Sequence, residues 1–153
     1  MLTLIGEYDC KLDSKGRFLM PAGLRKQLPE DQQVEFVVNR GLDSCLVMYP
    51  IPVWERELER LQSRNQYVKR NRDFLRLFLN GATRIELDGS GRVLLPKRLM
   101  EHAGLDKDMI LVAQIDKIEL WDEATYTKWL AEAGDGLEQL AEEVMGDYDG
   151  QED

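Results

Sequence analysis

Residues 12–24 read LDSKGRFLMPAGL, and residues 87–99 read LDGSGRVLLPKRL. Set over one another at an offset of 75 positions, they share seven of thirteen residues: the first Leu, Asp, Gly, Arg, the next Leu, Pro and the last Leu. The correspondence runs on. VEFVV (34–38) lies over MILVA (109–113), and after a short shift LVMY (46–49) lies over IELW (118–121). Trp54 and Leu58 then lie over Tyr126 and Leu130. Two copies of a unit of roughly 60–70 residues are too few for a solenoid, so the chain reads as two like subdomains that pack together.

Each copy reads as strand, tight turn, strand, short helix, strand, strand, helix. GEYDCKLD alternates in part, with period two, and RFLM and RVLL are short apolar runs that suit strands. Pro21 and Pro96 stop those strands and suit the first turn of a helix. Leu24 with Leu28, and Leu99 with Ala103, are four apart and face inward on those helices, while Gly104 suits a helix C-terminus. Between the copies lies a helical insert. Trp54, Leu58 and Leu61 form one stripe, Phe74, Leu77 and Phe78 another, and Asn80-Gly81 ends it. Tyr126, Trp129, Leu130 and Ala133 repeat the stripe after the second copy, with Asp122 as its N-cap. Such stripes serve a core or a subunit contact, and none reads as a cofactor box. The expected division is 1–51 for the first unit, 52–82 for the linking helices, 83–131 for the second unit and 132–153 for an acidic helix and tail, frayed from Gly146 onward.

Three residues separate Asp13 from Arg17 and Asp88 from Arg92. A loop of that length is commonly a type I turn followed by a left-handed residue, which places Gly16 and Gly91 where a positive φ is needed. Asp13 and Asp88 open the turns, where a carboxylate accepts nearby backbone N–H groups. Two readings of the arginines remain open on spacing alone. Either the Asp–Arg pair only closes the turn, or the turn presents Lys15 and Arg17 to phosphates or base edges, which a guanidinium can engage bidentately.

The formal charge is −9, but it is unevenly spread. Nine acids and no Lys or Arg lie between Glu132 and Asp153, so the preceding residues balance. Within them, Lys11–Lys26 holds five bases against one acid, and Arg60–Arg76 six against one. These stretches permit a nucleic-acid partner without establishing it. No apolar run approaches a membrane span, and the N-terminus lacks the character of a secretory signal, so a cytoplasmic protein without membrane contact is expected. Cys10 and Cys45 have no ligand spacing around them and read as free thiols rather than as a disulfide or metal site. His102 stands alone on a helix, and Gly89–Gly91 is a turn rather than a nucleophile elbow or phosphate loop. No catalytic, metal, cofactor or small-molecule site is therefore expected.

GEYDCKLDSKGRFLMPAGLR (6–25) and ELDGSGRVLLPKRLMEHAGL (86–105) resemble the two signatures of the MraZ family of bacterial transcriptional regulators, and RDFLRLFLNGA (72–82) is similar to its linking helix. The resemblance implies an α+β fold: a small β-barrel of two AbrB-like swapped-hairpin units with peripheral helices. It also implies a ring-like homo-oligomer that binds double-stranded DNA at tandem promoter repeats. The implied role is regulation, as a repressor, of the division and cell-wall gene cluster, its own gene included, at the nucleoid. On this footing Lys11, Lys15, Arg17 and Arg92 are the candidate DNA contacts, and Asp13, Gly16, Asp88 and Gly91 the turn formers. Ser90 and Met100 depart from the family's habit of a longer polar residue and an Arg there. DSKGR carries two positive charges and DGSGR one, so the first turn is expected to dominate recognition. The alternative is an antitoxin-like or other protein-interaction module, with the tail EQLAEEVMGDYDGQED as its partner-wrapping segment.

Overall fold

Each copy of the repeat folds into the expected order of elements in the computed structural model, which describes residues 2–146. The first supplies strands β1 (Glu7–Lys11) and β2 (Arg17–Leu19), helix α1 (Ala22–Arg25), and strands β3 (Glu35–Arg40) and β4 (Leu46–Pro50). The insert supplies α2 (Ile51–Gln62) and α3 (Lys69–Leu79). The second copy supplies β5 (Thr83–Glu86), β6 (Arg92–Leu94), α4 (Lys97–Ala103), β7 (Asp108–Gln114) and β8 (Lys117–Asp122). Pro21 and Pro96 stand one residue before α1 and α4, as N-caps with extended backbone. Their fixed φ ends the strand and the helix starts on the next residue. Gly104 closes α4 in the left-handed conformation (φ 61°), as its position suggested.

The strands of one copy do not pair mainly with each other. The antiparallel six-stranded sheet has the order β1-β7-β8-β4-β3-β5, and β2 pairs with β6 in a separate two-stranded ribbon. Thus β1 of the first copy lies on β7 of the second, in the register Glu7↔Val112, and β5 of the second lies on β3 of the first. The copies meet again at β4–β8 (Met48↔Ile118) and at β2–β6 (Phe18↔Val93). A pseudo-two-fold relation therefore runs through the ribbon and the middle of the sheet, and each copy completes the other: an α+β fold of two swapped repeats.

The core follows from that exchange. Leu12, Phe18, Met20, Leu24, Leu28, Phe36 and Val38 from the first copy form one buried cluster with Leu87, Val93, Leu95, Leu99, Ala103, Met109 and Leu111 from the second. The inward pairs Leu24/Leu28 and Leu99/Ala103 are all buried, as their spacing requires. On the other side of β3 and β4, Val37, Val47 and Tyr49 pack with Val53 and Trp54 of α2. The Trp54 ring lies 5.1 Å from Tyr49 and 6.1 Å from Phe78 of α3. Asn39, fully buried, ties α3 down by donating from Nδ2 to the Phe78 carbonyl at 2.7 Å. The apolar stripe of α3 is only partly used: Leu77 remains 72% exposed.

The described residues divide into two compact units between Asp122 and Glu123. The second holds α5 (Glu123–Ala133) and α6 (Leu137–Ala141), with Tyr126 stacked on Trp129 at 6.3 Å within α5. Asp122, expected as an N-cap, ends β8 and is the residue directly before α5. Of the residues expected to fray, Gly146 ends the helical turn Glu142–Gly146, and 147–153 lie outside the described part.

Candidate nucleic-acid interface

The two turns have the same internal architecture, and the sequence explains it residue by residue. Gly16 and Gly91 adopt φ of 86° and 81°, the conformation that favours glycine. Their N–H groups return to the Asp13 and Asp88 carbonyls at 3.0 and 2.9 Å. The Asp13 Oδ1 accepts the backbone N–H of Lys15 and of Arg17, both at 2.9 Å, and Oδ2 accepts Arg17 Nε at 3.0 Å. Asp88 does the same with Ser90 N–H (2.8 Å), Arg92 N–H (3.0 Å) and Arg92 Nε (3.0 Å). The Arg17 backbone N–H, foremost, holds the Asp13 carboxyl below its ordinary pKa, with the Lys15 N–H and the Arg17 side chain adding to it. The Arg92 backbone N–H does likewise for Asp88. Each aspartate thus forms its turn and also grips the inner edge of a guanidinium.

That grip leaves an orderly result. Nε is used in both arginines, while among the described residues Nη1 and Nη2 of Arg17 and Arg92 have no hydrogen-bond partner. A surface ion pair of this kind adds little stability. Its effect is to orient a planar donor pair before any ligand arrives, which lowers the ordering cost of a bidentate contact.

The exchange of strands brings the two turns to opposite ends of one ribbon. Met20 N–H donates to the Gly91 carbonyl at 3.0 Å, and Leu95 N–H donates to the Gly16 carbonyl at 2.9 Å. Each turn is therefore held by the ribbon strand of the other copy. Phe18 and Val93 point inward from the ribbon and are buried, at 1% and 0% exposure. Period two then puts Arg17, Leu19, Arg92 and Leu94 on the outer face, with Arg17 opposite Leu94 and Leu19 opposite Arg92.

The turns differ in what backs them. A Cβ added to Gly16 would meet Met100 Cε at 2.9 Å, whereas one added to Gly91 would meet Arg25 Nη1 at 3.2 Å. Arg25 and Met100 are repeat-equivalent, and the swap carries each to the other copy's turn. Arg25 is itself steadied by Nε donating to the Gln33 carbonyl at 3.0 Å. Charge counting includes Arg25 in the basic stretch Lys11–Lys26 but does not place it at the second turn. The signal that could have found it was its repeat relation to Met100 combined with the exchange of strands.

Comparison with known proteins gives a consistent assignment. The family described as "MraZ protein, putative antitoxin-like" matches residues 3–77 and again 78–147. A protein of Christiangramia forsetii named transcriptional regulator MraZ is 41% identical over 153 residues, covering 98% of this chain and 99% of that protein. Proteins of the same name from Flavobacterium psychrophilum (40% over 153 residues, 99% of this chain and 98% of that protein) and Moorella thermoacetica (39% over 145 residues, 95% and 98%) agree. The chain belongs to the MraZ family. The double match to the MraZ family falls on the two swapped copies, one match to each.

Of the remaining sequence candidates, Lys15 is exposed at the tip of the first turn. Lys11 sits at the end of β1 and is tied to Asp108 of β7 by an ion pair. It is thus close in sequence to the first turn but already engaged. His102 is exposed on α4, and Cys10 and Cys45 are free thiols. Burial pushes Cys45 up to about 12 and Cys10 up to about 11, so neither is a ready nucleophile. Among the described residues no group of three or more His, Cys, Asp and Glu side chains forms a metal site. No helix of the described residues is long and apolar enough to cross a membrane.

Proposed function

We propose that this protein is a sequence-specific DNA-binding transcriptional regulator whose reading element is the β2–β6 ribbon with its two Asp-braced turns. The observation that carries this is the pair of guanidinium groups, each held at Nε by an aspartate with both Nη groups left free. A major groove about 12 Å wide admits a two-stranded ribbon, and a guanidinium pairs bidentately with guanine O6 and N7. Lys15 and Arg25 add phosphate contacts beside the first and second turn. Lys11, paired with Asp108, contributes after exchanging that partner for a phosphate.

One chain offers few contacts, and affinity grows with the number of phosphates neutralised. A ring of identical copies multiplies them through effective concentration, and tandem repeats are its matching target. The promoter ahead of the division and cell-wall gene cluster, including the regulator's own gene, is the proposed site, with repression as the outcome and the nucleoid as the location. The experiment is a gel shift on the region upstream of its own gene, with wild type, Arg17→Ala and Arg92→Ala at several salt concentrations. Removing a bidentate hold on one base is expected to weaken binding by roughly ten- to a hundred-fold per site. Equal shifts by all three proteins would remove the arginines from the interface.

A second reading, a protein-interaction module, is favoured by one observation: Leu137, Leu140, Val144 and Met145 are all exposed on the C-terminal segment. Retention of a protein in place of promoter DNA by the purified chain would select it.

A further inference from the structure

The arginines account for only half of the ribbon's outer face. The other half is apolar: Leu19 and Leu94 stand 59% and 55% exposed. We infer that these two leucines are specificity-determining residues that read thymine by contact with its 5-methyl group. The inference rests on the DNA-binding reading above.

Single exposed leucines are ordinary on a protein surface and need no account. These two are different in three respects. They occupy repeat-equivalent positions, so the feature occurs in both copies. Each lies directly across the ribbon from an arginine of the other copy, Leu19 from Arg92 and Leu94 from Arg17. And the solvent face of an antiparallel strand pair normally alternates to polar residues, whereas here aliphatic and cationic side chains form a two-by-two checkerboard.

The checkerboard fits base edges better than the other occupants of a cationic face. The sugar-phosphate backbone offers the leucines nothing. A second copy of the same face would set arginines against arginines, and such like-charge juxtaposition opposes association. The major groove presents both kinds of partner at neighbouring base pairs: guanine acceptors for a guanidinium and the thymine methyl, the groove's apolar group, for an aliphatic side chain. Leu19 is placed for this. Its Cδ1 lies 3.8 Å from the point a Cβ on Gly91 would occupy, and Arg25 Nη1 lies 3.2 Å from the same point. The leucine therefore rests against the turn that holds Arg92, with apolar and cationic readers side by side.

The test uses two versions of the upstream promoter fragment, one synthesised with thymine and one with uracil, which pairs identically but lacks the methyl. Wild type and the Leu19→Ala/Leu94→Ala double variant of the full chain are titrated against both. Wild type is expected to bind the uracil fragment more weakly, by about four-fold for each methyl group it no longer covers, the value of burying one such carbon. The double variant is expected to bind both fragments equally while keeping its thermal midpoint and its oligomer size. Equal binding of the two fragments by wild type would overturn the inference and leave the DNA-binding reading intact. A double variant that kept the thymine preference would overturn it as well. If that variant also changed oligomer size, the face would be a contact between copies and the inference would fall. Failure of wild type to bind either fragment would sink the DNA-binding reading itself.

Discussion

The turn at 13–17 and the turn at 88–92 are built alike and supported differently. In both, one aspartate accepts two backbone N–H groups and an arginine Nε, with distances between 2.8 and 3.0 Å. Behind the first stands Met100, and behind the second stands Arg25. Counted within each copy, the first turn has two positive charges, Lys15 and Arg17, and the second only Arg92. Counted in space, Arg25 crosses to the second turn and the two ends of the ribbon each hold two. The lesson is that in a swapped duplication, charge belongs to a place rather than to a copy. Met100, from the second copy, accordingly stands against the Gly16 turn of the first.

The largest effect that can probe this comparison is removal of one copy. Because β1 pairs with β7 and β5 with β3, a chain cut between Ala82 and Thr83 leaves each half with strands that lack their partners. Neither half expressed alone should be a folded monomer. Circular dichroism with light scattering checks this, and a cooperative monomeric melt from either half would show the copies to be independent. Next come the arginines. Arg17→Ala and Arg92→Ala should weaken promoter binding to a similar degree, roughly ten- to a hundred-fold each, since both guanidinium groups are held alike. A loss ten-fold larger for Arg17→Ala than for Arg92→Ala in gel shifts would support the expected dominance of the first turn. A smaller change is expected from exchanging the backing residues. Arg25→Met should weaken binding and lower the slope of log K against log salt by about 0.9 for each phosphate left unneutralised. Met100→Arg should raise that slope by as much, acting at the first turn.

Much of this was legible in the residues and some was not. The turns could be read because their determinants are local: Asp, Gly and Arg within five positions dictate the hydrogen bonds that form. The inward leucines of α1 and α4 were readable for the same reason, a fixed helical period. The partner of each strand is not a local property. Nothing within GEYDCK specifies that Glu7 pairs with Val112, and resemblance to a swapped-hairpin family indicates exchange without saying which side chain lands on which turn. The place of Arg25 beside the second turn is not readable from the sequence on that account. Leu77 shows the opposite limit, since a helical stripe was visible but its 72% exposure depends on how far α2 covers α3.

The glycines separate conformation from contact. Gly16→Ala and Gly91→Ala both force a side chain into positive φ, at a cost of roughly 1–2 kcal/mol each. Their thermal midpoints should fall together by several degrees. Their effects on binding should part. At Gly16 the new methyl meets the end of the Met100 side chain at 2.9 Å and the Leu95 carbonyl oxygen at 3.3 Å, and no cation. At Gly91 it meets Arg25 Nη1 and Leu19 Cδ1, so it displaces a proposed DNA-binding group. Gly91→Ala should therefore lose more affinity than Gly16→Ala when both are compared at a temperature where each is fully folded, and equal losses would show Arg25 to be a bystander.

The smallest effect is acid dependence, and it asks whether the aspartates of the two turns are truly equivalent. Both carboxyls are held below their ordinary pKa, first by the arginine N–H of their own turn. A folded pKa below the unfolded one means that the ionised form is favoured by folding. Its contribution is present at neutral pH and is lost as pH falls through the depressed folded value, below the ordinary aspartate range of ~3.9. Binding and turn geometry should thus hold to lower pH than a free aspartate would allow. A carboxyl-carbon NMR titration would show both midpoints displaced downward together. Asp13→Asn should remove the titration at residue 13 and free Arg17 Nε, leaving the Asp88 midpoint unchanged. Coupled movement of Asp88 would mean that the ribbon transmits the state of one turn to the other, since among the described residues Met20, Leu95 and the strands between them link the two turns by hydrogen bonds.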